Sequence, residues 1–122
     1  LTPEHRGRLR RSLARWADSG EAHARDLRAT HAAAGEVSIQ DAPDRDRVVL
    51  RGTIRTVTLR PRGGVPALEA ELDDGSGVIT IVWLGRRRIA GVGPGRAMRV
   101  EGRIGTGSGH RVLFNPRYEL IP

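Results

Sequence analysis

Asp73-Asp74-Gly75-Ser76-Gly77-Val78-Ile79-Thr80-Ile81-Val82-Trp83-Leu84-Gly85 reads as a strand end, a tight turn and a buried strand in succession. Aspartates and glycines supply the turn, with Gly75 and Gly77 where a positive φ is needed. The Val/Ile/Thr/Trp run that follows favours β structure and is apolar on both alternating faces, which places it mid-sheet. Its neighbours alternate. Upstream, Ala67 to Asp73 puts Leu68, Ala70 and Leu72 inward and Glu69, Glu71 and Asp73 outward. Before it, Arg60-Pro61-Arg62-Gly63-Gly64-Val65-Pro66 is a hairpin loop, preceded by a long β pattern from Arg47 to Leu59. Val48, Leu50 and Ile54 share one face of that pattern and Arg51, Thr53 and Arg55 the other, until Val57 and Leu59 change phase. The slip implies a bulge. Thirteen residues at about 3.3 Å each make a strand of roughly 43 Å, so it is expected to bend near Gly52 and serve two halves of a small barrel.

Downstream of the central strand, 86–95 offers at most a short helix and a glycine-rich turn. A fourth strand follows, with Met98, Val100 and Ile104 alternating with Arg99, Glu101 and Arg103. Gly105 to Gly109 reads as a second long hairpin loop. His110 to Ile121, with Val112, Phe114, Tyr118 and Leu120 in phase, closes a set of five strands.

The N-terminal third has a different period. Thr2-Pro3-Glu4 is a helix start, with Thr2 as N-cap and Pro3 at the first helical position. Leu9, Leu13 and Trp16 share a face, Ser19-Gly20 ends or kinks the helix, and the segment from Glu21 to Ala33 continues the stripe through Ala24, Leu27 and Ala34. This face suits packing against the chain's own barrel, or pairing with a second copy or another protein. Residues 35–45, rich in Gly, Ser, Asp and Pro, read as a linker. The organisation expected is thus a helical extension over 1–34, a linker over 35–45 and a barrel over 46–122.

A chain of 122 residues supports one such core. It has no cysteine, which excludes disulfides and thiolate metal sites and permits a reducing compartment; a cytoplasmic location is expected. The longest uncharged stretch, Gly75 to Gly85, is too short to span a bilayer, and no signal-peptide core opens the sequence. The net charge of +7 rests on arginine alone, since no lysine occurs. Residues 1–45 carry net +1 and residues 46–122 net +6, so the barrel is the basic part. Such a balance suits an acidic partner, nucleic acid being the commonest, although GC-rich coding also yields arginine.

A long bent first strand, two hairpins and a connector between strands three and four resemble an OB-fold, a five-stranded Greek-key barrel, here with an N-terminal α-helical extension. Gly52-Thr53-Ile54-Arg55-Thr56-Val57, Leu72-Asp73-Asp74-Gly75-Ser76-Gly77, Pro94-Gly95-Arg96, Val100-Glu101-Gly102-Arg103 and Asn115-Pro116-Arg117-Tyr118-Glu119 resemble the OB-type wedge domain of RecG-type branched-DNA helicases. Together with Trp83-Leu84-Gly85-Arg86-Arg87-Arg88-Ile89-Ala90-Gly91 they are also similar to small actinobacterial proteins with a single nucleic-acid-binding OB domain. The resemblance covers 46–122. It implies binding of single-stranded or branched DNA, or of RNA. No G-x-x-x-x-G-K-[ST] occurs in the sequence, so the helicase motor is not implied.

In an OB-fold the loops between strands one and two and between four and five flank the ligand groove. Here they offer Arg60 and Arg62 on one side, His110 and Arg111 on the other, with Arg86, Arg87 and Arg88 after Trp83 and with Arg103 on strand four. Arginine forks bond phosphate oxygens and stack on bases. These residues are the candidate interface, with a solvated surface as the plainer reading of the arginine run. Of the chain's four aromatics, Trp83, Phe114 and Tyr118 each fit ordinary core better than a stacking platform, with Trp83 kept among the interface candidates. Outward Glu69, Glu71 and Asp73 would repel phosphate from strand two. His5, His23, His31 and His110 lack metal-ligand spacing, and the Ser and Asp residues sit in turn or capping settings, so neither enzyme activity nor a cofactor or metal is expected. The alternative is a protein-interaction module assembling through Leu9, Leu13 and Trp16.

Overall fold

Strand β1 (Arg47–Leu59) is shared between two neighbours in the computed structural model, which describes residues 19–31, 36–107 and 109–122. Arg47 to Thr53 pair antiparallel with β4 (Ala97–Gly107), and Thr53 to Leu59 pair antiparallel with β2 (Ala67–Asp73). The register slips between Ile54 and Thr56, which brings Val57 back against the core. The phase change read from the sequence is therefore a bulge at Arg55, and the strand passes from one neighbour to the other beside Gly52. A Cβ on Gly52 would stand 2.7 Å from the Leu72 side chain and 3.0 Å from the Asp73 carbonyl oxygen, so β2 crosses there at a distance only glycine permits.

β3 (Val78–Leu84) lies between β2, antiparallel to it, and β5 (His110–Phe114), parallel to it; β5 in turn runs antiparallel to the end of β4. With β4 returning to β1, the order β1-β2-β3-β5-β4 closes a barrel. This is a five-stranded OB-fold. Ile79, Ile81 and Trp83 point inward to meet Leu50, Ile54, Leu72, Met98, Val100, Ile104 and Leu113. Outward-facing Val82 packs with Ala67 and Val112 in a second, smaller cluster, but Val78 and Leu84 are exposed, so the central strand is buried along its inner face and only at Val82 on the outer one, short of the two-sided burial its composition suggests.

The last strand departs from the expected single run. It breaks at Asn115, whose φ is 48°, and resumes as β6 (Arg117–Ile121) against the first half of β4. The Asn115 side chain accepts a hydrogen bond from the Leu84 amide (2.9 Å), and its own amide donates to the Val82 carbonyl (2.7 Å). One extra residue at the break reverses the faces: Leu113 is inward opposite Ile104, whereas Val112 and Phe114 face out. Phe114 is 48 % exposed and Tyr118 39 %, so neither is the ordinary core residue that unbroken alternation suggests.

Two of three connecting stretches also differ from expectation, and the 86–95 connector falls within it. The glycine stretch after Ile104 remains strand to Gly107, which pairs with His110, leaving a tight hairpin instead of a long loop. Residues 85–96 form turns without a helix, pinned by buried Ile89. The stretch read as a linker is packed: Ile39 is fully buried in the core, and Arg111 donates to the carbonyls of Ala42 (2.9 Å) and Ile39 (2.5 Å). Isolated in a polar sequence, Ile39 gave no periodic signal.

A helix, α1, is followed over residues 19–31, so Ser19 and Gly20 are themselves helical; the helix expected before them lies outside the described residues. Its inner face is half-buried Ala24 with buried Leu27 and His31, the i, i+3, i+7 spacing of one stripe. It lies on the β2–β3 turn, where a Cβ on Gly75 (φ 86°) would collide with the Ala24 carbonyl oxygen. Thr2, His5, Leu9, Leu13, Trp16 and Ala34 lie outside the described residues. Among those described, no helix is long and apolar enough to cross a membrane.

Candidate functional site

The outward faces of β1, β2, β3 and β5 enclose a groove of about 530 Å³, within the range of roughly 300–1,000 Å³ typical of ligand clefts. Strand alternation puts Thr56 and Thr58 of β1, Glu69 and Glu71 of β2 and Thr80 of β3 on its floor. His110, Val112 and Phe114 of β5 form one wall. Gly105 of β4, opposite Val112, carries no side chain into the space.

The loop over 60–66 bends toward this groove. Gly63 (φ 58°) and Gly64 (φ 81°) are the two central residues of a tight turn in which the amides and carbonyls of Arg62 and Val65 exchange hydrogen bonds of 2.8 and 3.0 Å. Positive φ at both central positions is the type I′ condition that glycine meets without strain. The turn delivers the Arg62 guanidinium onto the face of Phe114, 5.5 Å from the ring centroid. The same guanidinium donates to Glu69 Oε1 at 2.6 Å, and Arg60 Nε stands 3.3 Å from Oε2. Glu69 is 9 % exposed, so its charge is tolerated only because two arginines compensate it. Two cations, one carboxylate and one exposed aromatic ring thus form a single assembly.

Sequence reasoning expected Glu69 simply to repel phosphate; in the folded chain it instead holds the two loop arginines over the groove. Glu71 is different. Among the described residues no arginine lies within ion-pair distance of it, and its Oε1 accepts a hydrogen bond of 2.6 Å from the Thr56 hydroxyl.

The other candidates are dispersed. His110 lines the groove with Arg60 and Arg62. Trp83 is inside the barrel, 4 % exposed, with its ring edge-on to Tyr118 at 5.7 Å. Arg111 is on the inward phase of β5, its guanidinium engaged by the 39–44 segment, with Asp44 4.0 Å away. Arg103 is on the opposite side of the barrel from the groove floor, beside Arg47 in the β1–β4 register, and donates to the Arg45 carbonyl at 2.7 Å. Arg86, Arg87 and Arg88 are exposed on the connector after β3, outside the groove. That connector starts beside the 60–66 loop, since the Gly85 amide donates to the Pro66 carbonyl at 2.7 Å. The residue missed as part of this groove is Phe114; Asn115-Pro116, which breaks the strand after it, was the available signal.

An OB-fold barrel with an open, aromatic-walled groove on the β1–β2–β3–β5 side is the class these features define. No family model matches the chain, and no curated protein matches it. Among solved structures it is similar to a chain from the structure of a replication protein A heterotrimer bound to ssDNA, with a TM-score of 0.51 and 14% identity. The likeness covers 71% of this chain and 66% of that one. At that identity it is a likeness of fold.

Proposed function

We propose that the chain is a non-catalytic binding module that holds single-stranded nucleic acid, foremost DNA, in the outer groove. The observation that carries this reading is the Arg62 guanidinium lying over exposed Phe114 at the groove wall, 5.5 Å from its centroid. An exposed ring with a cation above it offers a stacking surface for a base and a charge for the phosphate beside it. Arg60 adds a second cation, and Arg86 to Arg88 extend the positive path past the loop. The replication protein A heterotrimer, one chain of which is similar in fold, is bound to ssDNA, which agrees with the reading. The sequence resemblance to the wedge domain of RecG-type helicases adds branched DNA as a second ligand to test. The module is proposed to work in the cytoplasm and to need no cofactor.

Fluorescence anisotropy with labelled single-stranded DNA, single-stranded RNA, duplex and a branched junction, each titrated at several salt concentrations, tests it. Single strands are expected to bind with micromolar affinity, and log K to fall with log salt by about 0.7 per neutralised phosphate. No binding of any ligand at low salt would overturn the proposal and direct attention to protein partners.

A further inference from the structure

Resting on that reading, we propose that the groove selects single strands carrying guanine, received by the Glu71 carboxylate beside the base that stacks on Phe114. Thr56, Glu71, Thr80 and Val112 are successive partners across β1, β2, β3 and β5, so they form one row on the outer face. Phe114 stands two residues further along β5 from that row, opposite Val82. Two strand spacings of about 4.8 Å and two residues of about 3.3 Å put the Glu71 and Phe114 backbones roughly 12 Å apart. One base does not fill that interval, whereas two consecutive nucleotides do.

Chemistry then separates the two positions. Phe114 takes any base, because every base has a π face. Glu71 accepts only. Unlike Glu69, it has no arginine partner among the described residues, and the Thr56 hydroxyl, 2.6 Å from Oε1, occupies one lone pair of that oxygen, so Oε1 retains a second lone pair and Oε2 both for a ligand. A phosphate is repelled there, so the strand must turn its bases toward β2 and its backbone toward the loop arginines. Guanine alone presents two adjacent donors, N1–H and the N2 amino group, that match both carboxylate oxygens. Cytosine and adenine offer one amino group beside an acceptor nitrogen, and thymine offers one N–H between two carbonyls. Charge-assisted, two-pronged pairing is the stronger kind of contact.

The test compares affinities for an oligothymidine 12-mer with those for the same strand carrying one central guanine, inosine, cytosine or adenine. A single guanine is expected to raise affinity about tenfold, in keeping with what one two-pronged base contact contributes. Inosine, which lacks the N2 amino group, should recover only part of that gain. Glu71→Gln, checked for an unchanged thermal transition, should bring the guanine-to-thymine ratio to about one. Equal binding of all five strands would overturn this inference while leaving the proposed function standing, and binding of none would overturn both. Guanosine monophosphate added as a competitor should displace the strand only in large excess, since it spans neither Phe114 nor the arginines. Displacement at comparable concentration would overturn the assignment to a strand.

Discussion

Glu69 governs how much of the loop's positive charge is available to a ligand, because its two oxygens hold Arg62 at 2.6 Å and Arg60 at 3.3 Å. An entering phosphate has to share those guanidiniums. Glu69→Gln should therefore tighten single-strand binding severalfold and steepen the salt dependence by up to about 1.4, the share of two phosphates, as read by anisotropy across a salt series. Its stability cost should stay at about 1 kcal/mol, since Arg60 is mostly exposed and Arg62 partly so, and neither is left as a buried, unpaired charge. Phe114 should act in the opposite sense. Phe114→Ala removes a stacking surface of about 1–3 kcal/mol per base, a loss of roughly 5- to 150-fold in affinity. The fold should survive, the ring being half exposed. Phe114 also marks where sequence reading failed at this scale: its outward direction follows from a one-residue break at Asn115-Pro116, and alternation carried through that break assigns it to the core. Trp83 failed in the opposite direction: a run apolar on both faces carries no sign of which residues point inward, so it stood among the interface candidates, whereas the folded chain buries it in the barrel at 4 % exposure.

Among the elements, the β2–β3 turn connects barrel, helix and 36–43 segment. Asp74, buried at 7 % exposure, accepts from the Ser76 amide (2.9 Å) and hydroxyl (2.6 Å) and the Gly77 amide (3.2 Å) through one oxygen, and from the Ile39 amide (2.9 Å) through the other. The turn was legible in Asp-Asp-Gly-Ser-Gly; its second role was not, because the partner at Ile39 is 35 residues away. Gly75→Ala should undock α1, as the added Cβ collides with the helix backbone at a φ of 86°. Hydrogen exchange would show it as loss of protection confined to α1 and the turn. His31 makes the docking pH-sensitive. Its Nε2 lies 2.8 Å from the Thr53 hydroxyl, and burial, with Arg51's charge second, lowers its pKa from 6.5 despite Asp74 and Asp73. The unfolded chain takes up that proton first on acidification. The contribution is thus complete above pH 6.5 and is lost as pH falls through the lower folded value. The urea midpoint should decline from pH 7 to pH 5, and His31→Gln should flatten that part of the profile.

For the molecule as a unit, the barrel and its basic character follow directly from composition and alternation, whereas the use of the charge depends on long-range pairing. Arg47 meets Glu101, Arg51 and Arg99 share Glu36, and Arg60 and Arg62 share Glu69, so five of the arginines of residues 46–122 are engaged by glutamates, three of them by partners far away in sequence. No local pattern reveals such partners. Ile39 is another case: its burial closes the barrel, and Ile39→Ala should cost about 2–5 kcal/mol in a denaturant titration, where a true linker residue would cost almost nothing. Whether a strand binds in the β1–β2–β3–β5 groove is decided by titrating an unlabelled 12-mer of single-stranded DNA into 15N-labelled protein and following the amide shifts. Progressive shifts are expected at Thr56, Thr58, Arg62, Glu71, Thr80 and Phe114, with α1 and the β1–β4 face unchanged. Shifts gathered on α1 or around Arg47 and Arg103, with the groove silent, would contradict a groove-bound strand.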